Sequence, residues 1–254
     1  KHSKAQIKKF IRRLIVFLYA MFVKKKRGLL LTIKYKKVNI KRHVFWEVFM
    51  KTIVVQGAMR SEVEILISRF PGGKFADVRG YSFYEAALDG CTVVISQTEM
   101  GTINATVATM LAIEKYKPDV IINQGTAGAH LRELCVGDII IGREAVYINN
   151  IRTPARGAGE GSNALDWVPG RDSFLTAADA KLVDKALAIP YNGGKLLCGR
   201  LGTGDVFSKE VDRIDLLHSQ LGHMCEDMES VAVYRACEIL GVPVIGIRVI
   251  SNNE

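Results

Sequence analysis

From residue 51 onward, short β-branched runs alternate with helical stretches, and the runs exit into glycine or small polar residues. Residues 52–56 close at Gly57. Residues 120–123 lead into Gly125-Thr126-Ala127-Gly128, and residues 138–142 and 195–201 form two more runs. Residues 242–250 end in Ser251-Asn252-Asn253-Glu254. Between them, residues 61–70, 102–116, 174–187, 210–221 and 227–240 read as helices, the first broken by Pro71-Gly72-Gly73 and the second stopped by Lys117-Pro118. Residues 81–86 and 92–96 flank Leu88-Asp89-Gly90 as a hairpin-like pair. The alternation predicts an α/β fold, a three-layer α/β/α sandwich with a mostly parallel core, and the hairpin makes its central sheet mixed. In such a sheet, ligands bind at the carboxyl ends of the strands. Residues 149–171 lack periodicity and read as a long loop of the kind that often carries function.

Charge divides the 254-residue chain in two. Residues 1–50 hold fifteen Lys/Arg and one acid, Glu47, for a net of +14; residues 51–254 hold twenty Lys/Arg and twenty-five Asp/Glu, for a net of −5. A phosphate-backbone footprint on the body is therefore not expected, nor is a nucleic-acid partner. In the head, the ten-residue apolar run 14–23 is flanked by basic residues. It is shorter than the about 20 residues a spanning helix needs, and no small-x-small cleavage site follows it. Three readings stand: an upstream extension outside the fold, a basic helix lying on a membrane surface, and a nucleic-acid arm. The first is preferred, because Met50-Lys51-Thr52-Ile53-Val54-Val55 reads as the start of an enzyme whose first element is a strand. Five scattered cysteines with no CxxC and no zinc spacing imply reduced core thiols, a cytoplasmic setting and no metal.

Several strand exits carry polar groups. Glu62 follows Gly57-Ala58-Met59-Arg60-Ser61, where its plain role is to cap the first helical turn. Gln124-Gly125-Thr126-Ala127-Gly128 would let a ligand approach the backbone. Gly202-Thr203-Gly204-Asp205-Val206-Phe207 ends in a ring that could stack on a flat base or simply fill the core. Glu226, Asp227 and Glu229 lie within four residues. They read either as a solvated helix start or as the source of one carboxylate that clamps vicinal hydroxyls. No GxxxxGK[ST] occurs, so a P-loop is not supported.

Taken in order, the blocks at 57–64 (GAMRSEVE), 117–130 with 136–142, 202–207, 226–237 and 241–251 resemble the 5′-methylthioadenosine/S-adenosylhomocysteine nucleosidases of the nucleoside phosphorylase/hydrolase superfamily. The head has no counterpart. The resemblance implies hydrolysis of the bond between adenine and ribose through an oxocarbenium-like transition state. It also implies a place in methionine salvage, a homodimer, and no cofactor. Glu62 falls on the water-activating glutamate, Glu229 on the carboxylate that holds the ribose hydroxyls, and Met228 on the methionine against the sugar. Phe207 falls on the ring beside the purine. Met59, Met100 and Thr126 fall on ribose- and water-side positions, and Ser251 on the serine of the final strand. Many phosphorylases of the superfamily place an arginine where this chain has Asn123, so hydrolysis is expected over phosphorolysis.

Two departures follow from the same comparison. The family's general acid is an aspartate, and here that position is Asn252, whose amide donates a hydrogen bond but no proton. An engineered Asp→Asn change, a natural asparagine reading another base such as a 6-oxopurine, and an alternative acid from Asn253-Glu254 compete to explain it. Beside adenine-releasing hydrolysis stand a nucleosidase or phosphorylase for another purine and a catalytically silent nucleoside-binding protein. The family also continues into a closing helix beyond residue 254, and residues 51–254 are expected to lack it.

Overall fold

The computed structural model describes residues 51–88, 91–170 and 174–253. The basic head and its three readings lie outside the described residues, as does Glu254. The elements in chain order are β1 (Lys51–Gly57), α1 (Arg60–Ile67), β2 (Lys74–Val78), β3 (Tyr81–Leu88), β4 (Cys91–Gln97), α2 (Thr102–Tyr116), β5 (Val120–Ala129), β6 (Ile139–Tyr147), β7 (Ile151–Arg152), β8 (Val168–Pro169), β9 (Leu175–Ala177), α3 (Ala180–Leu187), β10 (Leu196–Thr203), α4 (Val211–Leu221), β11 (His223–Asp227), α5 (Ser230–Leu240) and β12 (Val244–Asn253).

A mixed sheet runs in the order β11-β10-β6-β12-β5-β1-β4-β3-β2, with β9 paired to β6. The expected three layers are present. Strand residues alternate between two cores because successive side chains point to opposite faces. Ile53, Val55, Ile122, Ile139 and Ile141 pack with Val63 and Leu66 of α1 and Leu182, Val183 and Ala186 of α3. Val54, Ile121 and Ile140 pack with Ala105 and Ala112 of α2 and with Val231, Val233 and Tyr234 of α5. A smaller cluster seats Leu217 and Leu221 of α4 on Val146 and Ile148.

The sheet also closes on itself. β11 pairs in parallel with β10 and, through Cys225 and Glu226, antiparallel with Ala129 and Gly128 of β5. β5, β12, β6, β10 and β11 thus form a ring of five strands, and the last residues of β5 are its seam.

Three expectations need correction, and one strand has no counterpart among them. Residues 125–129 are strand, not loop: β5 carries on past the glycines because β12 and β11 both pair with it there. Residues 174–187 are not one helix. Residues 175–177 pair with β6, and the helix starts only after Asp179, whose carboxylate accepts from Leu182 N at 3.0 Å. Residues 223–227 form a strand, so the acidic cluster ends a strand before it opens α5; Cys225, Glu226 and Asp227 are buried there. Residues 74–78 form an exposed edge strand on β3, which Lys74 and Asp77 suit as charged edge residues. The stretch 149–170 is largely irregular, apart from the two-residue pairing of β7 with β8 and a single 3-10 turn.

Candidate active site

The exits of β1, β4, β5, β10, β11 and β12 converge on one cavity of about 200 Å³. All nine residues singled out from the sequence line it: Met59, Glu62, Met100, Thr126, Phe207, Met228, Glu229, Ser251 and Asn252.

Glu62 sits in the first turn of α1 and does two things at once. Its Oε2 accepts from Ala58 N at 2.8 Å and Met59 N at 3.1 Å, which caps the helix start. Its Oε1 accepts from Thr126 N at 2.9 Å and Thr126 Oγ1 at 3.2 Å on β5. The carboxylate therefore ties two strand exits together while facing the cavity. Gly125 gives it room: a Cβ there would stand 3.0 Å from Glu62 Oε1.

Glu229 faces the same cavity from the start of α5. It is 8% exposed, and its Oε1 accepts from Gly101 N at 3.1 Å. Gly101 adopts φ 95, a left-handed conformation that glycine tolerates, and Glu99 two residues earlier has φ 62. Asp205 fixes the loop by accepting from Thr102 N at 2.7 Å and from the Thr102 hydroxyl. Burial, then the nearby Asp227 carboxylate, push the Glu229 carboxyl up to about 7, against the pull of Arg248 and the Gly101 N–H.

Beneath Glu229 lies a buried polar network. Asp227 Oδ1 accepts from Thr203 Oγ1, Glu229 N and Ser230 N, and its Oδ2 accepts from Ser230 Oγ and from Arg248 Nε at 2.9 Å. Arg248 is 1% exposed and also donates to the backbone oxygens of Asn123 and Ile247 and to the Asn123 side chain. Removing one member of such a pair typically costs about 3–5 kcal/mol, because the partner is left as an unpaired buried charge. Asn123 therefore points into this network. Among the described residues, no lysine or arginine lines the cavity.

The opposite end of the cavity is built around Gly128. β12 carries a bulge between Ile250 and Asn252, which places Asn252 rather than Ser251 opposite Gly128. The single Ser251 hydroxyl proton lies between two acceptors, Asn252 Oδ1 at 2.9 Å and Ala127 O at 3.2 Å, leaving the Asn252 Nδ2 as a donor toward the cavity. The neighbouring Asn253 turns its amide to Leu134 O at 3.3 Å, outside this lining, and Glu254, the acid of that pair, lies outside the described residues. Phe207 and Ser208 border the same end, with the Phe207 ring 63% exposed and Lys209 Nζ 5.3 Å from its centre.

Glu226, His130, Asp227 and Arg248 were not assigned roles from sequence. Arg248 did leave a trace, as a lone cation inside an otherwise apolar strand run, which requires a buried partner. Asp227 was legible only as one of three clustered acids.

Comparison with known proteins places this geometry. A sequence profile of the phosphorylase superfamily matches residues 52–254. The chain is similar to a 5′-methylthioadenosine/S-adenosylhomocysteine nucleosidase of Geobacillus kaustophilus, 33% identical over 206 residues, which cover 80% of this chain and 84% of that protein. Among solved structures it is similar to the Neisseria meningitidis nucleosidase of the same description, in complex with methylthio-immucillin-A. The TM-score is 0.68 and the identity 28%, covering 80% of this chain and 86% of that one. The Colwellia psychrerythraea nucleosidase in complex with adenine matches with a TM-score of 0.64 at 26% identity, covering 80% and 82%.

Proposed function

The chain belongs to the 5′-methylthioadenosine/S-adenosylhomocysteine nucleosidases of the phosphorylase superfamily, and on that premise we propose that it hydrolyses the N-glycosidic bond of these two nucleosides and releases adenine. The observation that carries this reading is the pair of carboxylates, Glu62 and Glu229, in one cavity whose lining holds no lysine or arginine. In this mechanism ionised Glu229 accepts hydrogen bonds from the ribose 2′- and 3′-hydroxyls. It also stabilises the positive charge that develops on the ribosyl ring only as the bond breaks. Glu62 orients a water toward C1′ and takes its proton, with the Thr126 hydroxyl as a second contact for that water. Met59, Met100 and Met228 supply apolar surface to the sugar and its 5′ substituent, and Phe207 stacks on the base. Ser251 sets the Asn252 amide so that it donates to the purine imidazole ring.

Incubation with 5′-methylthioadenosine, with and without inorganic phosphate, followed by chromatography of the free base, tests the reading. Adenine should appear at the same rate in both arms; release that depends on phosphate rules out hydrolysis. A 6-oxopurine riboside in a third arm addresses the second reading, which Asn252 favours because an amide can both donate to N7 and pair with a 6-oxo group. Tight binding without release would mark a silent nucleoside-binding protein.

A homodimer fits an apolar stripe beside the site: Ile103, Val107 and Met110 on α2 and Ile239 and Leu240 on α5 are all exposed. A monomeric mass by light scattering would remove that element. Cys135, Cys198, Cys225 and Cys237 are free thiols, and no described helix is long and apolar enough to cross a membrane. The free thiols suit a reducing, cytoplasmic compartment, and release of adenine from 5′-methylthioadenosine suits a role in methionine salvage.

A further inference from the structure

Asn252 leaves the leaving base without a proton donor at the position where the family carries an acid, so a donor must come from elsewhere in the cavity. Five other titratable side chains line it: Glu62, His130, Glu226, Asp227 and Glu229. Glu62 holds four donors at the sugar side, Asp227 is locked against Arg248, and Glu229 is anchored to Gly101. Glu226 and His130 remain, and both belong to the base end.

Gly128 is paired with Asn252 on β12 and with Glu226 on β11. Residues directly opposed across adjacent strands point to the same face. The amide and the carboxyl therefore flank one floor that glycine leaves bare. Glu226 Oε1 accepts from Ser208 N at 3.1 Å, one residue beyond the Phe207 ring. Its Oε2 lies 2.9 Å from His130 Nε2, within ion-pair distance but without the alignment of a settled hydrogen bond. His130 Nδ1 lies 2.8 Å from His223 Nε2. His223 is fully buried, and its Nδ1 has no partner among the described residues. A simple structural ion pair needs no second imidazole, least of all one with an orphaned nitrogen, which costs about 1–3 kcal/mol.

We propose that Glu226, backed by His130 and His223, is the acid that protonates the departing purine. This rests on the hydrolase reading of the same cavity. One proton is shared by the Glu226–His130 pair. As C1′–N9 breaks, its electron pair passes to the purine, and Glu226 gives the proton to a ring nitrogen of the base while Asn252 holds the imidazole edge. Water adds its oxygen to C1′ and yields its proton to Glu62. Exchange of Glu62 and the pair with solvent restores the starting state. His130 and His223 act as positioning residues. Burial, and then the charges of His130, His218 and Arg200, hold the His223 imidazole well below its usual range, so the neutral ring can accept from or donate to His130. The charged and titratable groups around the cluster are His218 on α4, Arg200 on β10, Arg132 and Asp215 on the outer side of His130, Asp227 beside Glu226, and Glu62 and Glu229 across the cavity.

The test compares two leaving groups in the full chain. With 5′-methylthioadenosine, Glu226→Gln should lower kcat about 10²-fold, the lower end of general-acid effects, because Asn252 still donates its hydrogen bond. With a 4-nitrophenyl riboside, whose leaving group departs without a proton, the same variant should stay within about 2-fold of wild type. Adding Asn252→Asp to Glu226→Gln should restore adenine release. Equal losses on both substrates would overturn the proposal in favour of a structural role, as would unchanged turnover of 5′-methylthioadenosine. If the wild type cleaves neither substrate, the hydrolase reading itself fails, a result separate from either of these.

Discussion

Glu62→Gln is expected to lower kcat for 5′-methylthioadenosine by about 10²–10⁴-fold, the usual worth of a positioned general base. The amide keeps the shape of the side chain but cannot take a proton from water. It also cannot reproduce the native contacts. The carboxylate accepts from Ala58 N and Met59 N on one oxygen and from Thr126 N and Oγ1 on the other. Whichever way the amide turns, its NH₂ faces at least one backbone N–H, so one donor pair loses its acceptor. A stability loss of about 1 kcal/mol, the typical worth of a helix cap, should accompany the kinetic loss. Single-turnover kinetics and thermal melting of the same preparation separate the two. Wild-type turnover in the variant would remove Glu62 from the chemistry and leave it as a cap.

Glu229→Gln should move activity and stability in opposite directions. Activity should drop about 10²–10³-fold, because a neutral amide stabilises a ribosyl cation far less than a carboxylate does. Stability at pH 8 should rise. The folded state holds the Glu229 carboxyl at about 7, above its ordinary value of 4.5, so folding favours its protonated form. The group's contribution is fully favourable below the unfolded value and is lost as pH rises through the folded one. At pH 8 the ionised side chain therefore costs the fold on the order of 2–3 kcal/mol, which glutamine relieves. A gain of several degrees in Tm is expected at pH 8, shrinking toward pH 4. The wild-type kcat/KM should fall as pH drops through about 7, since only the carboxylate accepts both hydroxyls. A lower Tm for the variant at pH 8, or a flat kcat/KM across that range, would show that burial does not tune this group.

The layers and the sugar half of the site could be read from the sequence because local chemistry and tertiary placement agree there. Residues 102–116 carry helix formers up to Lys117-Pro118 and form α2 without revision. Glu62 and Glu229 each open a helix directly after a strand exit, where a carboxylate is both favoured locally and aimed at the cavity. The base half was hidden by long-range pairing. Glu226 reads as a solvated helix acid until β11 is seen pairing with both β10 and β5. His130 gains its partner from 93 residues away. The bulge at Ser251 is equally silent in sequence, since its pairing with Gly128 alone decides whether residue 251 or 252 meets the base. Asn123 was weighed as a pocket position lacking a cation, whereas its side chain belongs to the buried network under the pocket.

That placement of Asn123 constrains how this chain could be retooled. Writing an arginine there to recruit phosphate would not deliver a cation to the cavity. It would set a second guanidinium against Arg248, in a buried space already balanced by the one carboxylate of Asp227, and would delete the oxygen that Arg248 Nη2 uses. The expected product is a misfolded hydrolase, not a phosphorylase. A water-using and a phosphate-using version of this scaffold are therefore separated by coordinated changes at 123 and 248. A designer seeking phosphorolysis would do better to bring the charge in from the cavity rim, leaving the strand floor as it is.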